Sequence, residues 1–128
     1  MSILVVSRDS VVRDLLAVIL KNNGVKVNEA HNIDEALPMV AISPKLVFVD
    51  IRPQVFWESA ELAGLKELLG DAALVLVHDS ESSTSLEDAV QVGADAMLLV
   101  PFVRSTVLDV CGRLIPTLAG ASPVGRAG

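Results

Sequence analysis

One cysteine, Cys111, is too few for an internal disulfide framework or a multi-cysteine zinc site. Tyrosine is absent, and only four aromatic side chains occur: Phe48, Phe56, Trp57 and Phe102. That is too sparse for the stacking platforms that hold single strands or sugars. Basic residues are in deficit, with ten Lys and Arg against sixteen Asp and Glu and a net charge of -6. Such a chain repels phosphate backbones, so no nucleic-acid partner is expected. Long hydrophobic runs are missing too. The apolar segments are four to six residues, whereas a membrane span needs about 20. Met1-Ser2 leads straight into Ile3–Val6 without the basic start of an export signal. The expectation is a soluble, cytoplasmic chain with no membrane partner.

What remains is a globular composition, 52% hydrophobic and 20% charged over 128 residues. That length is one domain's worth, and roughly two-thirds of its unfolded surface can be buried without staples. Five short runs rich in Val, Leu and Ile recur: Ile3–Val6, Val25–Val27, Leu46–Val49, Ala72–Val77 and Ala96–Val100. Most are continuously apolar, as strands covered on both faces of a parallel sheet are. Val25 and Val27 alternate with Lys26 and Asn28 instead, the pattern of an edge strand.

Helical patterns fill the intervals. Ser10 is placed to cap a helix carrying Val11, Val12, Leu15, Leu16, Ile19 and Leu20, with Gly24 as its stop. Asn32 and Glu35 have capping-box spacing before Ala36, Leu37, Val40 and Ala41, and Pro38 predicts a late start or a kink there. Leu62, Leu65, Leu68 and Leu69 mark a third helix ending at Gly70. Thr84 with Glu87 heads a fourth that stops at Gly93. Val107, Val110, Cys111, Leu114, Ile115 and Leu118 form the last, with Pro116 near its end. Residues 119–128 hold three glycines and read as a flexible C-terminal tail.

Alternating strands and helices predict an α/β fold, a flavodoxin-like (βα)5 doubly wound parallel sheet of order 2-1-3-4-5. Ligands in such folds sit beyond the carboxyl ends of the strands. The residues there are Ser7, Arg8 and Asp9, then Asp50, then His78 and Asp79, then Val100 and Pro101.

Three stretches, ILVVSRD at the start, LVFVD ending in Asp50, and GADAMLLVPF closing on Pro101-Phe102, carry a resemblance to the receiver domain of two-component response regulators. The match runs over about residues 2–118, so 1–118 is expected to be the receiver-like domain. In that family a pair of acidic residues after the first strand helps hold Mg²⁺, and the Asp ending the third accepts a phosphoryl group from a histidine kinase. A Thr or Ser ends the fourth strand, and a Lys before a Pro ends the fifth. Carried over by position, the acidic pair falls on Ser7 and Arg8, the phosphoacceptor on Asp50, and the Thr/Ser on His78. The Lys falls on Val100 and the aromatic switch residue on Met97. Only Asp50 matches. The loop proline is Pro53, three residues beyond Asp50 rather than four.

The substitutions change the chemistry. Mg²⁺ wants oxygen ligands, usually one or two carboxylates plus substrate phosphates. A hydroxyl and a guanidinium replace the acidic pair, leaving Asp50 as almost the sole anion, and Val100 offers no ion pair to phosphoryl oxygens. This points to a degenerate pocket of Ser7, Arg8, Asp9, His78 and Val100 around Asp50, with no cofactor. Mg²⁺ enters only under the alternative, a functional phosphoacceptor at Asp50. Two readings of Arg8 stand open: it pairs with Asp50 in place of a metal, or it points to solvent while Asp50 caps the next loop.

Other chemistry is thinner. Asp9, Asp50, His78 and Asp79 carry donors that suit a transition metal, but a strand-end hydrogen bond for His78 and solvated carboxylates are the favoured account. Cys111 lies at an apolar helical position and reads as core, and His31 as surface. The run Ser80–Ser85 lacks the glycines of a phosphate cradle, no G-x-G-x-x-G follows the first strand, and no nucleophile–base pair stands out, so an enzyme is not expected. The resemblance implies a signalling protein partner, a histidine kinase or an output protein. It would be met on parts of Leu86–Val92, Met97 and Val103–Leu114; the apolar Val55-Phe56-Trp57 reads either as a second contact patch or as residues folded back over the core.

Overall fold

The structure, a computed structural model, describes residues 1–52, 59–79 and 93–116. Five strands, β1 (Ser2–Val6), β2 (Lys26–Ala30), β3 (Leu46–Asp50), β4 (Ala73–Asp79) and β5 (Ala96–Val100), form one sheet of order β2-β1-β3-β4-β5. All four pairings are parallel. This is the flavodoxin-like arrangement expected from the alternating runs.

The apolar runs became interior strands for the anticipated reason. Every residue of β1 and β3 is buried, which requires cover on both faces. Along β1, Ile3 and Val5 face one core while Leu4 and Val6 face the other. The first core is covered by α1 (Ser10–Lys21) and α4 (Arg104–Leu114), which contribute Leu16, Leu20, Val107 and Cys111. The second is covered by α2 (Ile33–Ala36) and α3 (Ser59–Leu69), through Ile33, Ala36, Leu62 and Leu65. Strand β2 is half-open, as an edge should be, but it runs to Ala30 and begins after Val25, one residue later than its valines suggested.

One helix start needed correction. The cap of α1 is Asp9, not Ser10: its Oδ1 accepts from the amides of Val11 at 2.9 Å and Val12 at 3.4 Å. Asn32 does cap α2, accepting from the Glu35 amide at 2.8 Å. That helix nevertheless lasts one turn before tightening into a 3-10 segment, Leu37–Ile42, because Pro38 brings no amide hydrogen. The last helix runs from Arg104 to Leu114, with Ile115 as its C-cap, and Leu118 lies outside the described residues. The helix expected over 84–93, the Val55-Phe56-Trp57 patch, Pro53, the Ser80–Ser85 run and the tail 119–128 lie outside the described residues, Gly93 excepted.

An ionic clamp ties α3 to the loop entering β5. Asp95 accepts from the Leu74 amide at 2.8 Å and from Lys66 Nζ at 2.9 Å, and Lys66 also donates to the Ala72 carbonyl at 3.0 Å. Gly93 is required beside it: φ is +84°, and a Cβ there would meet Lys66 Cγ at 2.9 Å. Burial alone would raise the Asp95 carboxyl, but the Leu74 amide and the Lys66 ammonium together hold it below the ordinary value of 3.8. A depressed folded-state value means that the stabilisation is complete above the unfolded value and is lost as pH falls through the folded one. Asp95→Asn should therefore lower stability by about 1 kcal/mol near neutrality, discounted for a half-exposed pair, and its difference from the wild type should shrink below about pH 4. Urea titrations across that range check it; a gap that stays constant with pH contradicts the clamp.

Burial pushes the Cys111 thiol up to about 11, consistent with a core side chain. Among the described residues, no helix is long and apolar enough to cross a membrane.

Candidate functional site

The site begins where β3 ends. Asp50 is 1% exposed, and a buried carboxylate must have its lone pairs met. Four contacts meet them. The Ser7 hydroxyl donates to Oδ2 at 2.7 Å, the Arg52 amide to Oδ1 at 3.0 Å, Arg52 Nε to Oδ1 at 2.9 Å and Arg52 Nη2 to Oδ2 at 2.8 Å. The guanidinium therefore grips both carboxylate oxygens side-on, the geometry that makes Arg–carboxylate pairs strong and directional.

Local chain geometry brings Arg52 there. The Ile51 amide continues the β3–β4 pairing by donating to the Val77 carbonyl at 3.0 Å, and Ile51 is itself buried. The chain then turns, closed by the Asp50 side chain on the Arg52 amide, in the manner of an Asx-turn. That turn folds the Arg52 side chain back over the residue two before it. Its Nη2 also lies 3.3 Å from Asp9 Oδ2, so one cation bridges two carboxylates. Hydrogen bonding to Asp50, above all, pushes the Arg52 pKa up from its ordinary value.

Ser7 is fully buried, and its neighbours fix it. Its amide donates to the Ala30 carbonyl at 2.9 Å, its carbonyl accepts from Arg13 Nη1 at 2.8 Å, and its hydroxyl accepts from the Asp9 amide at 3.0 Å.

The expected residues are thus partly brought together. Ser7, Asp9 and Asp50 converge. Arg8 is exposed, and the guanidinium paired with Asp50 belongs to Arg52, which corrects the Arg8–Asp50 reading. The alternative, that Asp50 caps the following loop, holds for the Arg52 amide. The notion of a single remaining carboxylate also changes, because Asp9 joins Asp50 on Arg52. His78 and Asp79 close β4 one and two residues past the level of Asp50, which is in register with Val77. Val100 ends β5 half-buried against the α1/α4 core, and Met97 lies half-buried against the α2/α3 core. The Val100–Pro101 peptide is cis. His31 is exposed beside Glu35.

Sequence reasoning missed Arg52 and Arg13. The available cue for Arg52 was its place two residues beyond a strand-ending Asp, the position an Asx-turn folds inward.

Whether these residues fit a divalent ion can be judged from the donors. Mg²⁺ needs open oxygen positions in near-octahedral array. Here the Asp50 oxygens are each bonded twice, and a guanidinium stands between Asp50 and Asp9. Asp9 Oδ1 is spent on capping α1. Among the described residues, no cluster of three or more His, Cys, Asp or Glu side chains is arranged to hold a metal. The transition-metal set of Asp9, Asp50, His78 and Asp79 therefore does not form. The arrangement fits a resident guanidinium rather than a divalent cation.

Comparison with known proteins shows what the chain is similar to. No protein-family model matches the chain. The chemotaxis protein CheY of Halobacterium salinarum is 28% identical over 108 residues, covering 84% of this chain and 90% of that protein. The receiver domain of NtrX from Brucella abortus superposes with a TM-score of 0.75 at 28% identity, covering 90% of this chain and 98% of that one. CheY4 of Vibrio cholerae superposes with a TM-score of 0.78 over 89% of this chain and 98% of that one, and at 19% identity it speaks for the fold alone. The sheet order is the flavodoxin-like one of CheY-like receiver structures, and an Asp ends β3. In sequence the chain is thus similar to a CheY protein and to the receiver domain of NtrX, at 28% identity in each case.

Proposed function

We propose that this receiver domain serves two-component signal transduction through protein–protein contacts, without Mg²⁺-dependent phosphorylation and without enzymatic turnover, in the cytoplasm. The observation that carries this reading is the side-on Arg52–Asp50 pair. A phosphoryl acceptor needs a free carboxylate oxygen, and catalysis of such transfer is mostly positioning and charge neutralisation. Here the neutralising charge is already part of the chain and occupies the nucleophile. Arg8 in place of an acid and Val100 in place of a Lys remove further support for a phosphoryl group. The partner is a signalling protein, a histidine kinase or an output protein. It recognises a surface whose conformation the Ser7–Asp50–Arg52 contacts hold in one state.

The alternative is a functional phosphoacceptor at Asp50. NMR of the amides of Ser7, Ile51 and Arg52 during titration with Mg²⁺ and beryllium fluoride separates the two. The expected result is no saturable, Mg²⁺-dependent shift and a Tm unchanged by millimolar Mg²⁺. A saturable shift that disappears in Asp50→Asn overturns the proposal.

A further inference from the structure

We propose that Arg13 is a positioning residue for the Asp50 site, acting through Ser7. The inference rests on the Arg52–Asp50 reading above and extends it to the opposite edge of the pocket. Arg13 comes from the first turns of α1, yet its side chain is only 13% exposed. Its Nη1 turns back to the Ser7 carbonyl at 2.8 Å, six residues earlier. Its Nε faces Glu29 of β2 at 3.5 Å, and Glu29 also stands 3.9 Å from Lys21.

The Ser7 carbonyl needs this donor. Ser7 follows the last residue of β1 and is fully buried, so water cannot satisfy its carbonyl. With its amide held by Ala30 and its carbonyl by Arg13, the residue has one orientation. That orientation points the hydroxyl at Asp50 Oδ2 and lets it accept the Asp9 amide. Asp9 in turn caps α1 and meets Arg52. A continuous series of bonds thus runs from Glu29 on the sheet edge through Arg13 and Ser7 to the carboxylate that Arg52 grips. Arg13 touches neither Asp50 nor Arg52 in this series; it sets the residue that does.

The test reads the solvent exchange of the Arg52 Nε–H by NMR in the full chain. In the wild type this proton is expected to be protected, because it is bonded to Asp50 Oδ1. Arg13→Met keeps the aliphatic stem and removes the donors, and should accelerate exchange about tenfold or more. Arg13→Lys should recover part of the protection with its single donor, and Glu29→Gln should accelerate exchange less than Arg13→Met does. Leu69→Ala, in the core on the other side of the sheet, controls for general loss of stability and should leave exchange within about twofold of the wild type. Should Arg13→Met not fold, Glu29→Gln and Arg13→Lys carry the same comparison. A protected proton that none of the Arg13 and Glu29 variants accelerates, or that Leu69→Ala accelerates equally, overturns the role of Arg13 alone. A proton exchanging in the wild type as fast as in free arginine overturns both this inference and the reading on which it rests.

Discussion

Arg52→Ala is expected to destabilise the domain by about 2–4 kcal/mol, among the largest effects of any substitution outside the cores. Removing one side of a buried ion pair leaves the other charge stranded. Asp50 is 1% exposed and would keep only the Ser7 hydroxyl and the main-chain amide at position 52. The value is set below the usual cost of about 3–5 kcal/mol for such a break, because the Arg52 side chain is 17% exposed and water reaches its end of the pair. Arg52→Lys should recover less than half of the loss, since an ammonium cannot bond both oxygens in a plane. In an Asp50→Asn background the further cost of Arg52→Ala should fall to about 1 kcal/mol or less, the signature of direct coupling. Urea unfolding of the four proteins gives the numbers. Equal costs of Arg52→Ala in both backgrounds contradict the pairing.

The fold was legible because its determinants are local and repeated. Runs such as Leu46–Val49 have no polar residue to place on a solvent face, so a doubly covered strand is the only arrangement that suits them. The half-open β2 showed itself by alternating Lys26 and Asn28 with valines. Element ends were less legible, since they depend on single hydrogen bonds. Ser10 and Asp9 are both good caps, and the choice fell to Asp9, whose amide donates to the Ser7 hydroxyl oxygen while its carboxylate accepts from the Val11 amide. Pro38 was expected to bring a late start or a kink; instead the helix starts on time after Asn32 and tightens at Pro38 into a 3-10 segment.

The site divided along the same line. Strand ends follow from the strands, so Ser7, Asp9 and Asp50 could be placed together before any coordinates. Which cation meets Asp50 could not. Arg8 lies next to Ser7 in the chain, but successive residues beyond a strand point to opposite sides, and Ser7 takes the inward place. Arg52 reaches the same carboxylate by a turn that Asp50 itself closes. The Arg13 contact spans six residues and needs a helix to fold back over the strand that precedes it, a tertiary event with no mark in the spacing.

Ser7→Asp places here the acid that the receiver resemblance implies, and it should be strongly destabilising. The Ser7 hydroxyl lies 2.7 Å from Asp50 Oδ2 in a fully buried position. A carboxylate placed there faces a second one at close range, and two unit charges about 4 Å apart near a protein surface repel by roughly 4 kcal/mol. One guanidinium cannot answer all the carboxylates, because Arg52 already spans Asp50 and Asp9. Ser7→Asn matches the size of Asp and keeps a donor toward Asp50 without the charge, so it isolates the electrostatic part. The expected gap between Ser7→Asp and Ser7→Asn is about 3 kcal/mol at neutral pH and low salt, or a Tm difference of roughly 10 °C for a domain of this size. Calorimetry of the two variants measures it. A gap below about 1 kcal/mol would mean that the pocket has cationic reserve beyond Arg52, and the account of Asp50 as a carboxylate already matched by its own arginine would fail.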